Sequence, residues 1–310
     1  MSAMVHPDSW FIVVNPVSGG GRASRYVPRL RAALDRRQQP YECVTTTATG
    51  DANRLVSQAL REGHRRLLAL GGDGSFHELV NGLVAQSYVP PAQCLVAVAA
   101  HGTGNDWART MQVPDDPGRL AACMARARGR SVDIGMAVDA RGRRLAFHNV
   151  AGAGLDAEVL RRLPRGGPRA LAYLAGLVRT IARYHAPRFD LVVDGQKQSG
   201  RFLLVLAANG PRCGGGMRLA PDAAADDGWL DLVTVEPMPI VRAIAKLPKL
   251  HDGRLAGDPA FRVTRCRSVT IESSPVCGVE LDGQAAGSTP VTLTMLPGAL
   301  QALDCRDSAE

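Results

Sequence analysis

The first third of the chain repeats one pattern three times: a short, wholly apolar run, a glycine-rich loop, then a helix-like stretch. Residues 10–14 (WFIVV) lead into NPVSGGG and a helix-like stretch over 24–37. Residues 67–70 (LLAL) lead into GGDG and a helix from about 75 to 85, and residues 95–99 (LVAVA) lead into HGTG and a helix-like stretch from 105. A run with no polar position leaves no face for solvent, so each reads as a buried strand of a parallel sheet covered by helices on both sides. In such sheets ligands bind beyond the carboxyl ends of the strands. All three glycine loops follow strand ends, which predicts that they converge on one site.

From about residue 133 the texture changes. Short strand-like segments over 144–150, 189–194, 202–208, 230–235, 268–272 and 278–281 are separated by turn signals, two of them D-G-Q. This predicts a mostly antiparallel, sandwich-like second domain interrupted by a helical stretch over 169–185. The expected division is an α/β nucleotide-binding domain over 1–132 and a β-sandwich domain over 133–296. The last apolar segment, 291–303, is expected to return to the first domain, which 297–310 would complete.

Composition limits the partners. Aromatic residues make up 5% of the chain, which argues against a nucleic-acid surface built on stacking. The formal charge of +8 favours anionic partners such as nucleotides or acidic lipid. The 7 cysteines are dispersed with no C-x-x-C, which suits a reducing cytosol better than a disulfide framework or zinc site. The N-terminal MSAMVHPDSW lacks the features of a signal peptide, and no apolar run is long enough to span a membrane. A cytoplasmic location is expected.

The motifs admit two readings each. Gly71, Gly72 and Gly74 let backbone N–H groups approach a phosphate, and Asp73 among them would then need a cation such as Mg²⁺. The alternative is that Asp73 only shapes a tight turn. Glu78 and Asn81 follow on one helix face and favour a polar site. In HGTGNDWAR, Asn105 and Asp106 stand where a helix starts, to cap it or to share its N–H groups with an anion. PDAAADDGWLDL gathers Asp222, Asp226, Asp227 and Asp231 into either a solvated loop or an oxygen-ligand Mg²⁺ or Ca²⁺ site. Asp282 lies in VELDGQ, but Asp194 lies in an equivalent VVDGQ that reads as a hairpin turn, so spacing assigns Asp282 no chemistry. GAGLDA at 152–157 matches a dinucleotide pattern but falls where the second domain begins. Walker and G-x-S-x-G motifs are absent. Arg161, Arg162, Arg165, Arg169, Arg179 and Arg183 flank an apolar helical stretch, either packed or lying on anionic membrane.

Taken together, NPVSGG (15–20), GGDGSFHELVNGL (71–83), GTGNDWAR (102–109), GAGLDAEV (152–159) and PDAAADDGWLDL (221–232) resemble the diacylglycerol kinase catalytic family, nearest its bacterial soluble branch. The resemblance implies a phosphofructokinase- and NAD kinase-like α/β nucleotide domain joined to a β-sandwich, with the active site in the cleft between them. It implies an ATP-dependent, Mg²⁺-requiring lipid kinase. Asn15, Pro16, Ser18, Gly19 and Thr46 would line the nucleotide. Residues 71–78, with Gly71, Gly72, Asp73, Gly74, Ser75 and Glu78, would form the phosphate loop. Gly102, Thr103 and Asn105 would add contacts from GTGND. Asp227, with the carbonyls of Ala224 and Trp229, matches the family's structural Mg²⁺ site. The implied partners are a lipid substrate and an anionic membrane surface contacted peripherally, without nucleic acid; a homodimer stays open.

One departure bears on chemistry. The family's Asp-Gly-Glu, whose acids are implicated as catalytic base, is here Asp282-Gly283-Gln284. Either Asp282 is the base, or a neighbour such as Glu280 serves, or activity is impaired. His101 before GTGN is a second departure. The rivals are an NAD kinase-like enzyme, which shares GGDG, and a non-catalytic nucleotide- or lipid-binding homologue, suggested by Gln284.

Overall fold

The computed structural model describes residues 6, 8–162, 180, 182–255 and 257–306. The chain divides into two compact units, residues 1–134 with 297–310, and residues 135–296.

The first unit is built as strand, loop, helix. Strand β1 (Trp10–Val14) leads to α1 (Ser18–Asp35), β2 (Tyr41–Thr45) to α2 (Asp51–Glu62), and β3 (Arg66–Gly71) to α3 (Asp73–Val84). Strand β4 (Leu95–Ala100) is followed by a short α4 (Asp106–Thr110) and by α5 (Pro117–Arg126). The strands run parallel in the order β2-β1-β3-β4. All five residues of β1 are buried, and so are the last five of β3, which is the physical reason both read as unbroken apolar runs. Helix α1 packs Ala23, Tyr26, Leu30, Ala33 and Leu34 inward at helical spacing, and α2 does the same with Ala52, Val56, Ala59 and Leu60. The Trp10 indole N–H donates to the Met124 carbonyl of α5 at 3.0 Å, so the largest buried side chain keeps its polar atom paired. Asp116 caps α5 by accepting from the Arg119 N–H at 2.9 Å, with Pro117 at the first helical position.

Strand β5 (Gly129–Asp139) and the final strand, β16 (Val291–Leu303), each run from one unit into the other. Gln301 and Ala302 of β16 pair in parallel with Leu95 and Val96 of β4.

The second unit is a pair of sheets. One has the order β6 (Arg144–Phe147), β5, β16, β13 (Ser268–Ser274), β8 (Arg188–Val193), β9 (Gln196–Arg201). The other has the order β12 (Phe261–Cys266), β11 (Leu230–Val235), β10 (Leu204–Ala208), β7 (Val150–Gly154), β14 (Gly278–Leu281), β15 (Gln284–Ser288). The core is formed by every second residue: Phe189 and Leu191, Val205 and Ala207, Leu230 and Leu232, Val269 and Ile271, Val279 and Leu281. That period of two is what a strand with one inner face imposes. The opposite face of β10 and β11 is also covered, by Cys213, Leu219, Ala220 and Ala223 of the following loop.

Local differences from the sequence expectation have clear causes. The segment 144–150 is not one strand; it breaks after Phe147, and β7 begins at Val150. GAGLDA is the end of β7 and the start of α6 (Leu155–Arg162), a strand-to-helix junction within the second unit. Strands β9, β12 and β15 were not anticipated: their sequences QKQSGR, FRVTRC and QAAGS lie at sheet edges and are largely exposed. Of the helix expected over 169–185, residues 169–179 and 181 lie outside the described residues. Among the described residues no helix is long and apolar enough to cross a membrane.

Candidate active site

The three glycine loops of the first unit meet. The Asn15 N–H donates to the Leu70 carbonyl at 2.9 Å, and the Asn15 side-chain amide donates to Ser75 Oγ at 3.2 Å, tying the first loop to the second. Ser18 Oγ donates to the His101 carbonyl at 3.4 Å and Arg22 Nη2 to the Gly102 carbonyl at 3.0 Å, tying the first to the third. The His101 N–H donates to the Gly71 carbonyl at 2.6 Å, closing the triangle. Gly72 and Gly102 cross with no room for a side chain: a Cβ at Gly102 would lie 2.5 Å from the Gly72 Cα, and one at Gly72 would lie 2.7 Å from the Gly102 Cα.

Around this junction the expected residues take distinct tasks. Asp73 accepts the Asp106 N–H on one carboxyl oxygen and the Trp107 N–H on the other, both at 3.2 Å. Asp73 therefore caps α4 from the start of α3, and the buried stacking of Phe76 on Trp107, 5.6 Å between centroids, reinforces the same contact. Asn105 has φ 57° and turns its Oδ1 back to the Gly102 N–H at 2.8 Å. Thr46 sits beside β1, its N–H donating to the Val14 carbonyl at 2.9 Å. Glu78 accepts the Gly50 N–H at 3.0 Å, which joins the loop before α2 to α3. Pro16 accepts from Ser24 Oγ through its carbonyl at 2.9 Å, Gly74 and Ser75 are half-buried, and Thr103 is exposed. Residues 19–21 adopt left-handed φ values of 59°, 66° and 84°, so the regular part of α1 starts after them. The result is a concentration of backbone N–H groups at strand carboxyl ends and at the starts of α1 and α3, the chemistry of a polyphosphate cradle. His101 packs its ring on Tyr26 at 4.0 Å, and burial pulls its pKa below the ordinary value. Arg22, absent from the sequence expectations, is a cation inside the junction; its place directly after NPVSGGG was the available signal.

In the second unit, Asp282 is enclosed. Its carboxylate accepts from the backbone N–H groups of His148, Asn149 and Val150 at 3.0, 2.9 and 3.1 Å, and lies 2.8 Å from His148 Nδ1 with neither side chain exposed. Asp194 does the same thing at the other D-G-Q, accepting from the Arg267 and Ser268 N–H groups at 3.0 and 2.8 Å. The two turns share their backbone, with φ 46° and 83° at Asp194-Gly195 and 51° and 80° at Asp282-Gly283. These are tight hairpin turns in which the aspartate hooks a neighbouring segment. In this geometry the Asp282 carboxylate ties its turn to the segment 148–150. Gln284 opens β15 opposite Leu281 and is half-buried.

The loop with Asp227 was expected to hold Mg²⁺. Asp227 Oδ1 instead accepts the Trp229 N–H at 3.0 Å, and Oδ2 pairs with the Arg265 guanidinium. Arg265 and Arg267 stack over the Trp229 ring at 5.5 and 4.6 Å. A divalent ion needs several oxygen ligands, so an ion held by Asp227 with the carbonyls of Ala224 and Trp229 would have to displace the Arg265 guanidinium. Burial raises the pKa of nearby Asp231.

Comparison with known proteins decides the family. Residues 9–137 match the family described as "Diacylglycerol kinase catalytic domain", and residues 149–304 match "YegS C-terminal NAD kinase beta sandwich-like domain". The chain belongs to the diacylglycerol kinase family. A relative from Pseudomonas savastanoi pv. phaseolicola named "Probable lipid kinase YegS-like" is 32% identical over 275 residues, covering 87% of this chain and 86% of its own length. The "Diacylglycerol kinase" of Bacillus subtilis is 27% identical over 285 residues, covering 90% of each. A crystal structure of a family member from Bacillus anthracis str. Sterne, described as a diacylglycerol kinase, shares the fold with a TM-score of 0.71 at 22% identity, covering 97% of this chain and 98% of its own.

Proposed function

We propose that the protein is an ATP-dependent lipid kinase that transfers the γ-phosphoryl group of ATP to the hydroxyl of a lipid alcohol such as diacylglycerol or a sphingoid base. The observation that carries this reading is the closed junction of the three glycine loops in the first unit, in a chain of this family. Phosphoryl transfer passes through a loose transition state in which positioning and charge stabilisation do most of the catalysis. Backbone N–H groups of the loops around Asn15, Pro16, Ser18, Gly19, Gly71, Gly72, Gly74, Ser75, Gly102 and Thr103 supply both. Asn15, Thr46, Glu78 and Asn105 hold those loops in place. Mg²⁺, when bound with the triphosphate, neutralises its charge; Asp73, with one N–H on each oxygen, keeps lone pairs to face it. The acceptor lipid is assigned to the second unit. The excess of basic residues holds the enzyme peripherally on anionic membrane at the cytoplasmic side, at about 1 kcal/mol per well-placed Lys or Arg.

The test is transfer of labelled phosphate from ATP to a panel of lipid alcohols in mixed micelles, with NAD as a parallel acceptor. Lipid phosphate formed only with Mg²⁺ is expected. Labelled NADP would overturn the acceptor class. Gln284 in place of the family glutamate favours a second reading, a non-catalytic nucleotide- or lipid-binding homologue, and tight ATP binding without any phospholipid product would support it.

A further inference from the structure

Behind the Asp282 turn lies a pair of carboxyl groups to which the reaction as proposed gives no task. Asp156, in the first turn of α6, and Glu280, in β14, both project over Gly152 of β7, the register partner of Glu280. A Cβ at Gly152 would lie 1.6 Å from Asp156 Oδ2 and 3.0 Å from Glu280 Oε1, so only glycine leaves room for the pair. Glu280 is 4% exposed, and its Oε2 accepts the Gly283 N–H at 2.7 Å. Asp156 Oδ1 accepts the Ala157 N–H at 2.7 Å, while the buried Oδ2 receives no N–H or O–H donor from any described residue other than Glu280.

Two carboxylates cannot both stay ionised in such a place without a cation. Among the described residues, the groups that act on the two carboxyls are one another, the Asp282 carboxylate, and backbone N–H groups of Asp156, Ala157 and Gly283. Tyr184 and Cys277 feel the Asp156 charge and are themselves pushed up by burial. No positive charge enters this set. A proton between the carboxyls removes the repulsion and supplies the donor that Asp156 Oδ2 lacks. The remaining single negative charge then sits where the Gly283 N–H points, under the turn that presents Gln284.

We propose that Asp156 and Glu280 carry one proton between them and together position the Asp282–Gly283–Gln284 turn at the acceptor end of the reaction, a role that rests on the lipid-kinase reading. Loss of the shared proton sets two anions against each other over Gly152 and releases the turn. Gain of a second proton weakens the bond to Gly283. Burial pushes the Asp156 carboxyl up to about 7 and raises that of Glu280 well above the usual carboxylate range, so the pair takes up its second proton as pH falls through neutrality and gives up the shared one only at higher pH. The sign for stability follows. Between the unfolded carboxylate value of about 3.9 and the raised folded value, the folded state holds the extra proton, so the second unit loses stability as pH rises through that window.

The experiment uses the full-length protein and two variants. Infrared difference spectra recorded across neutrality are expected to show the C=O band of one carboxylic acid that Asp156→Asn removes. In denaturant titrations Asp156→Asn is expected to reduce the loss of stability with rising pH, because the amide stands in for one of the two titrating acids. In lipid-kinase assays the same variant is expected to flatten the decline of kcat above neutrality. Glu280→Gln is expected to lower kcat at least tenfold with KM for ATP unchanged. An infrared band and stability slope identical in wild type and Asp156→Asn would overturn the shared proton. A band that disappears while the kcat profile stays unchanged would overturn the positioning role. The spectroscopic and denaturation arms require no turnover, so they report on the pair even where the kinase assay itself fails.

Discussion

Substituting Gly102 by alanine tests the loop junction directly. The added Cβ would stand 2.5 Å from the Gly72 Cα and 3.0 Å from Asn105 Oδ1. Carbon atoms in ordinary contact sit about 3.5–4.0 Å apart, so the two backbones must separate by about 1 Å. No flexible side chain can yield in their place, because the opposing atom is main chain. A shift of that size lengthens the Gly102 N–H bond to Asn105 Oδ1 (2.8 Å) and the Arg22 bond to the Gly102 carbonyl (3.0 Å) beyond hydrogen-bonding range, and strains His101 N–H to the Gly71 carbonyl. Two lost bonds at about 1 kcal/mol each, with overpacking strain of about 1–3 kcal/mol, give about 3–5 kcal/mol. For a unit of this size that lowers Tm by about 6–20 °C. Misplacing the phosphate-facing backbone by about 1 Å also costs about 100-fold in kcat/KM. Differential scanning calorimetry and the kinase assay read the two effects. Gly20→Ala is the control: it has no atom within 4 Å of the new Cβ and carries only the strain of its left-handed backbone. Wild-type Tm and turnover in Gly102→Ala would refute the reasoning that the loops touch.

Three further outcomes are expected. Asp73→Asn turns an amide N–H₂ toward one of the two α4 N–H groups and costs about 1–3 kcal/mol of stability along with activity; unchanged urea midpoints with lost activity would refute the capping role. Asp282→Asn disturbs three backbone bonds and costs the second unit about 2–4 kcal/mol, whereas Asp194→Asn, at an exposed turn, costs less than half as much; equal losses from urea titrations would show that enclosure adds nothing at Asp282. Gln284→Glu raises kcat by less than about tenfold, because a loose phosphoryl-transfer transition state gains little from a general base; a gain of about 100-fold, the lower range of general-base catalysis, would show that the amide is what limits turnover.

The family and the fold class were legible in the chain because their signals are local. The apolar runs of β1, β3 and β4 reflect burial on both faces, and the glycine loops follow them directly. The inner strands of the second unit declared themselves as short strand-like segments between turn signals, and the structure shows why: Phe189 and Leu191, or Val269 and Ile271, alternate into the core. Edge strands such as QKQSGR did not, since an exposed strand paired on one side needs no apolar face. The tasks of single side chains were the least legible. Asp73 caps a helix that starts beyond the next strand, Asp227 meets Arg265 from another strand, and Asp156 meets Glu280 through the register of β7 and β14. Each is a tertiary relation between residues whose local motifs read equally well as metal or phosphate chemistry.

The duplicated D-G-Q turn shows where chemistry enters such a fold. Asp194 and Asp282 have the same dipeptide neighbours, the same left-handed backbone and the same habit of gathering backbone N–H groups from an adjacent segment. What differs is the ground beneath them. At Asp194 the turn is exposed; at Asp282 the carboxylate is enclosed, touches His148, and has Glu280 bonded to the next residue in the turn. A motif that is structural in one place can therefore be recruited in another without altering its own residues. The amide at Gln284 then stops being a plain loss. With positioning supplying most of phosphoryl-transfer catalysis, a turn held by a buried monoanion can present an amide where relatives present an acid, and the charge that matters lies one layer below it.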